Sequence, residues 1–380
     1  VLIFLAFGVK AAFPLLHNWL TDAYPEATPT GTVFLSAFTT KLAIYTLARG
    51  FPGMECLVWI GAVMTAFPIF FAVIENDLRR VLAYSLNNQL GFMVVGIGIG
   101  SELALNGTAA HAFAHILYKA LLFMSMGAIL HRVGTVKATE LGMLYRSMPI
   151  TTFFCIIGAL SISAFPLFSG FVTKSMTLTA AAEGHYDIAF FVLIFASAGV
   201  LHHSGIKIPF YGFFGHHDSG IRVKEAPWNM LLAMGISAFL CVAIGVYPQP
   251  LYALLPFPVD YVPYTTTHVV TILQLLMFSA LAFGVLQRTG LYPPELRSTI
   301  LDFDFSYRWL APRIFNWFLD AGGRAWTSLT ADLLEMLNHF IAVVFRYLGP
   351  KGMLARTQAT GAAAAVIATL LLIFLVALLA

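Results

Sequence analysis

The sequence has 380 residues, of which 59% are hydrophobic and only 10% charged, with a formal net charge of +3. A soluble domain carries roughly 25% charged residues, so this composition excludes an ordinary soluble enzyme and points to an all-α polytopic membrane protein. Cys56, Cys155 and Cys241 stand alone in apolar runs with no CxxC or Cys/His cluster, so no metal, cofactor or disulfide framework is indicated.

The chain opens VLIFLAFGVKAAFPLL, with no initiator Met, basic leader or small-residue cleavage site. It reads as the interior of a membrane helix and not as a signal peptide, so a C-terminal piece of a longer chain is expected. Windows apolar enough to span fall at residues 1–18, 31–49, 56–75, 81–100, 107–130, 149–165, 168–183, 187–208, 227–247, 267–287 and 359–380. Pro14 interrupts the first soon after Lys10, and FPLFSG at 165–170 interrupts the pair at 149–183. Such breaks mark transport sites, because unwound backbone survives in a membrane only where protein or water covers it. Residues 289–358 mix Trp, Phe, Tyr, Arg and Asp, and 326–347 is amphipathic, which predicts surface-lying helices in a cytoplasmic connection before a last anchor.

Lysine and arginine placement sets the topology. Sixteen of the 21 fall in the loops after the third, fifth, eighth and tenth windows, and only Arg49 lies in another loop. If every window crossed, those four loops would not share a side. They do share one if 149–165 and 168–183 form a single discontinuous crossing. The expectation is about ten to eleven transmembrane segments including two discontinuous helices, with the basic side cytoplasmic.

The remaining cations, Lys10, Lys41, Lys119 and Lys174, sit inside windows. At about 2.5–3.5 kcal/mol per unpaired central charge, the four cost on the order of 10–14 kcal/mol, comparable to the net stability of a domain. Lysines near helix ends snorkel, but each of these has about seven or more mostly uncharged neighbours on both sides, so a functional role outweighs a structural one. In HAFAHILYKALLF, residues 111–123, His111, His115 and Lys119 recur every four residues and climb one helical face. They extend over about 12 Å, a spacing suited to a proton relay through bridging water. Asn87, Asn88 and Gln89 in the preceding window are placed to hold that water.

Glu75 and Asp77 beside Arg79 and Arg80 read as an interfacial charge cluster, and His17, Asp22 and Glu26 in a proline-punctuated loop as a secondary candidate for proton entry. Lys207 is ambiguous between loop and membrane. The pairs His202/His203 and His216/His217 resemble a metal cue, but adjacent residues on a helix point apart, and no metal is assigned. No P-loop, GxGxxG or nucleic-acid motif appears, so neither nucleotide nor nucleic acid is expected as a partner.

GVKAAFPLLHNWLTDAYPEATPTGTVFLSAFTTKLAIY, NDLRRVLAYSLNNQLGFM, HAFAHILYKALLF and SAFPLFSGFVTKS, in this order, resemble the signature blocks of the proton-conducting antiporter-like membrane subunits. That family spans Mrp-type Na⁺/H⁺ antiporter subunits and the large antiporter-like subunits of respiratory complex I. The resemblance implies the C-terminal part of a fourteen-helix fold. It also implies a proton path through Lys10 on the first broken helix, Lys41, His115 with Lys119, and Lys174 on the second broken helix. Gln89 stands where some complex I members have a histidine, and His111 matches no family position and rests on spacing alone. The SGIKIPFYGFFGHHDSG and RTQATG stretches look most like the D-type Mrp antiporter subunits. The glutamate that pairs with the first broken-helix lysine in the family has no candidate here.

These readings predict a proton-conducting core over 1–215, additional transmembrane helices over 216–288, an interfacial connection over 289–358 and an anchor over 359–380. They predict a multi-pass subunit of a bacterial inner-membrane antiporter exchanging Na⁺ or K⁺ for H⁺ with partner subunits, a secondary transporter and not itself an enzyme. The alternative is a proton-pumping arm of a complex I-type or hydrogenase assembly.

Overall fold

The computed structural model describes residues 1–215, 219–298, 300–352 and 360–379, so His216, His217 and the lead into the last anchor lie outside it. Two compact units are present, Val1–Phe303 and Asp304–Ala380. The first holds helices Leu2–Ala11 (α1), Asn18–Glu26 (α2), Pro29–Gly50 (α3), Cys56–Ile74 (α4), Leu78–Ile99 (α5), Glu102–Val133 (α6), Pro149–Ile162 (α7), Ser169–Glu183 (α8), Asp187–Phe214 (α9), Trp228–Val246 (α10) and Thr266–Arg288 (α11). The second holds Ser306–Leu348 (α12) and Thr360–Leu379 (α13). Eight of these helices are long and apolar enough to cross a membrane.

Helix α5 is the hub. Every residue from Val81 to Gly98 is buried, including Asn87, Asn88 and Gln89. A helix covered on all sides can carry polar residues in a membrane because none faces lipid. Its seam with α4 is glycine-lined: the backbones at Gly61 and Gly91 approach so closely that a Cβ at Gly91 would stand 2.6 Å from Gly61 O. Small residues allow this in membrane helices, where close backbone contact replaces the hydrophobic drive available in water. Helix α6 lies against α5 and is held at both ends, Ser101 Oγ accepting from Ala104 N and Gly134 closing the C-terminus in the left-handed region.

Both expected discontinuities are present, and the same tetrapeptide makes them. Ala12–Leu15 and Ala164–Leu167 both read Ala-Phe-Pro-Leu, and in each the Ala and the Leu take positive φ, 62° and 71° in the first, 58° and 76° in the second. The hydrogen bonds repeat as well: Phe13 N to Gly8 O and Phe165 N to Leu160 O, both at 3.0 Å. Left-handed non-glycine residues cost roughly 1–2 kcal/mol each, so the fold holds two matching strained breaks, between α1 and α2 and between α7 and α8.

Counting α1/α2 and α7/α8 as one crossing each brings the basic loops to one end. Asp77 bridges to Lys137, Met143 N donates to Phe214 O, and Arg297 lies 3.9 Å from Glu140. The opposite end is tied by Gly53 N to Ile97 O and Asn106 Nδ2 to Phe257 O. For the cations of Val1–Phe303 this is the arrangement that the placement of lysine and arginine required.

Two expectations change. The described part of the connection over 289–358 is largely one amphipathic helix in place of several, α12, of 43 residues and about 65 Å, with no residue of Ala311–Leu348 buried. Arg79 is not part of an open interfacial charge cluster. It is 1% exposed, and its guanidinium donates to Pro25 O and Ala27 O, each at 2.7 Å, and to the Thr32 hydroxyl. Asp77 instead caps α5 through the N–H groups of Arg79 and Arg80. Glu75 lies 3.6 Å from Arg80, and burial, only partly offset by local N–H donors and Arg80, raises its carboxyl above the usual range.

Candidate functional site

Four elements deliver the titratable groups to the middle of the first unit. On α3 a π-helical stretch, Leu35–Thr39, precedes Lys41. The wider turn frees a carbonyl, and Lys41 Nζ donates to Ser36 O at 2.6 Å. Helix α6 carries His111, His115 and Lys119, all wholly buried. On α8, Lys174 is buried, with Nζ 3.3 Å from Ile162 O and 5.0 Å from the Phe92 ring centre. Ile162 ends α7 at the break, so the ammonium meets the negative end of a half-helix.

His111 is the best-connected member. Nδ1 lies 3.2 Å from Thr173 Oγ1, and Thr173 donates its own proton to Ser169 O at 3.0 Å. Thr173 must therefore accept, and Nδ1 carries a proton. Nε2 faces two partners of opposite kind, the Gln89 Oε1 acceptor at 3.1 Å and the Tyr118 hydroxyl at 3.5 Å. An imidazolium donates to Gln89; a neutral ring accepts from Tyr118. The site therefore provides for both charge states, which a proton carrier needs. Gln89 is itself oriented by Asn88, which accepts from Gln89 Nε2 at 2.6 Å and donates to Thr65 O across the α4 seam.

His115 and Lys119 differ. Neither nitrogen of His115, nor Lys119 Nζ, nor either amide atom of Asn87 has a hydrogen-bond partner within the protein, although all are buried, and Lys119 Nζ has only the Phe123 ring, 5.9 Å from its centre. Groups of this kind are satisfied by internal water. His115 lies 6.2 Å from His111, ring centre to ring centre, and feels the charges of Lys41, Lys119 and Lys174.

Five of the residues expected from sequence spacing and resemblance thus meet in one buried row: Lys41, His111, His115, Lys119 and Lys174, with Gln89 beside them. Lys10 does not join it; it ends α1 just before the first break and is exposed. His202 and His203 take separate partners, Ser279 O and Ser204 Oγ. Among the described residues no group of three or more metal-ligating side chains forms. Asp22 lies 3.4 Å from Arg80. Two connections escaped the sequence reading because their partners are far apart in the chain. His17 Nε2 lies 2.9 Å from Asp302, whose carboxylate also accepts from Tyr84 and Asn18. Lys207, inside α9, pairs with Glu295 at 2.9 Å.

Fold and site together define a polytopic α-helical membrane protein with two broken crossings flanking a buried row of lysine and histidine. The chain belongs to the NADH:quinone oxidoreductase/Mrp antiporter transmembrane family, which its residues 1–201 match. It is 30% identical over 259 residues to F(420)H(2) dehydrogenase subunit L of Methanosarcina mazei, covering 63% of this chain and 38% of that protein. It is 30% identical over 262 residues to the A/B subunit of a probable K(+)/H(+) antiporter of Rhizobium meliloti, covering 65% and 26%. A chain in the structure of the membrane-bound sulfane sulfur reductase, an archaeal respiratory membrane complex, shares the fold with a TM-score of 0.63 at 24% identity, over 99% of this chain and 68% of that one. The chain spans less than half the length of these two curated relatives.

Proposed function

We propose that this chain is the proton-conducting part of an antiporter-like subunit in a hetero-oligomeric membrane complex, with its basic end toward the cytoplasm. The observation that supports this best is the buried row of Lys41, His111, His115, Lys119 and Lys174, in which His111 has one partner for each charge state. A proton arriving at Lys119 or His115 passes by water to His111. His111 passes it on by water toward Lys174, and Lys41 extends the series the other way. Positive charge on any one member disfavours charge on its neighbours, so protons move in turn. No cofactor is required.

The finer reading is an antiporter exchanging Na⁺ or K⁺ for H⁺ in a bacterial inner membrane, of the Mrp type. A second reading, favoured by the dehydrogenase relative, is that redox chemistry in partner subunits drives the same conduction. Inverted vesicles bearing the full complex test both. With wild type, a Na⁺ or K⁺ pulse that collapses a preformed pH gradient supports exchange, and proton uptake only on addition of an electron donor supports redox drive. In either mode Lys174→Ala and His115→Ala abolish proton movement with assembly intact; unchanged transport in both removes these residues from the path.

A further inference from the structure

Apart from the central row, a second set of titratable groups runs toward the basic end. His203 and Lys207 lie one turn apart on α9, and both are wholly buried. Lys207 Nζ donates to Val73 O and Glu75 O, both at 2.7 Å, and pairs with Glu295 Oε1 at 2.9 Å. Two backbone carbonyls thus take two of the ammonium protons, and the Glu295 carboxylate supplies the counter-charge. The Glu295 side chain is 6% exposed, yet Oε2 has no partner, nor does the Tyr292 hydroxyl. Glu295 and Tyr292 line a cavity of about 400 Å³ with Tyr211 and Gln287. Burial raises the Glu295 carboxyl above its usual range against the pull of Lys207, and the Glu75 charge adds to the rise.

At the inner end, His203 Nδ1 lies 2.9 Å from Ser204 Oγ, and Ser204 donates to Ser85 Oγ of α5 at 2.7 Å. Ser204 can only accept from the histidine, so Nδ1 holds the proton. Nε2 keeps a lone pair and has no partner. His203 feels Lys207 on one side and Lys119 and Lys174 on the other. It is the group common to both sets.

We propose that Glu295, Lys207 and His203 form a proton-exchange branch joining the cavity at the basic end to Lys119. The proposal rests on the proton-conducting reading above. The Glu295 carboxylate takes a proton from cavity water and becomes neutral. Lys207, having lost its counter-charge, gives a proton to His203 Nε2, which becomes the imidazolium. His203 returns to neutral by passing that proton to Lys119 through water. Glu295 then releases its proton to Lys207, and the ion pair is restored. One proton has moved from the cavity to neutral Lys119, which becomes the ammonium, and the branch itself is back in its starting charge state. Residues 289–303, otherwise a linker, thereby supply a working carboxylate.

The test uses the complete complex in proteoliposomes, with Lys119→Ala as the reference for a broken central row. Glu295→Gln alone strands a buried ammonium and is destabilising, whereas Glu295→Gln/Lys207→Met removes both charges and a buried pair replaced this way is often neutral for stability. The double variant is expected to assemble normally and transport protons at least ten-fold more slowly. His203→Phe is expected to do the same with the ion pair intact, and Glu295→Asp to keep at least half of the rate. A double variant that transports at the wild-type rate while Lys119→Ala does not overturns the branch alone. Wild-type rates in all of them overturn the central reading and the branch with it. Loss of transport in the double variant and in Glu295→Asp alike makes the pair structural and also overturns the branch.

Discussion

Gly91→Ala adds one methyl group at the tightest point of the α4–α5 seam. Its Cβ would stand 2.6 Å from both Gly61 O and Thr65 N, against 3.4 Å for an ordinary contact. These neighbours are backbone atoms and cannot rotate away, so the helices part by about 0.8 Å, as overpacking in a close-packed interior demands. Overpacking of this kind costs about 1–3 kcal/mol. The consequence reaches the site because Asn88, three residues before Gly91, donates to Thr65 O across the same seam and orients Gln89, the acceptor for His111. Gly91→Ala is therefore expected both to lower the melting temperature of the detergent-purified complex and to slow proton transport in proteoliposomes. Gly284→Ala on α11 is the control: its Cβ meets nothing within 4 Å, and the change favours helix by up to about 1 kcal/mol. If Gly91→Ala melts and transports like wild type, the seam does not position the polar row and the reasoning fails.

Tyr118→Phe removes the donor available to neutral His111 and leaves its Gln89 acceptor. Proton flux is expected to fall several-fold, while Gln89→Leu, which removes the acceptor for the cationic ring, falls further; rates across a pH series in proteoliposomes measure both. Asp302→Asn loosens the linker. Burial works against ionisation of Asp302, but the hydrogen bond and charge of His17, with donors from Tyr84 and Asn18, outweigh it and hold the carboxyl below its usual range. A depressed carboxyl contributes stability above its unfolded value, near 3.9, and loses it only as pH falls through the lower folded one. Amide exchange over 291–298 is expected to stay slow at pH 5 in wild type and to be fast there in Asp302→Asn. Arg79→Met removes two charge-assisted bonds of 2.7 Å to Pro25 O and Ala27 O and is expected to cost about 1.5–3 kcal/mol, seen as earlier protease cleavage between α2 and α3.

How much of this could be read from the sequence depends on how local the cause is. Helix positions follow from apolar runs, which a bilayer enforces on every spanning segment, and the window at 227–247 matches α10 at Trp228–Val246 to within a residue. The single crossing made of α7 and α8 was legible because charge bias is a global constraint: one extra crossing would have put Lys137 and Lys224 on opposite sides. The length of α12 was not. Its aromatic and charged residues interrupt any apolar run while remaining good helix formers on two faces, so composition suggested several short helices where the backbone makes one.

Within the site the same division holds. His111, His115 and Lys119 are legible because one helix spaces them, and resemblance alone ranked His115 above His111. The geometry reverses that order in one respect. His111 has defined donors and acceptors, whereas His115 and Lys119 have none from the protein. A relay needs both kinds of member: a residue fixed by hydrogen bonds sets direction, because its tautomer is determined by its partners, and a residue satisfied by water allows protons to arrive from more than one side. The repeated Ala-Phe-Pro-Leu breaks fit this division of labour. Each breaks a helix and leaves carbonyls without helical partners, and at the second break Ile162 O receives Lys174. At the first, Val9 O is taken by Trp19 instead, and Lys10 stands exposed. The two breaks share a backbone but not a charge partner: the second offers Ile162 O to Lys174 and so anchors one end of the row, whereas the first leaves Lys10 exposed and outside it.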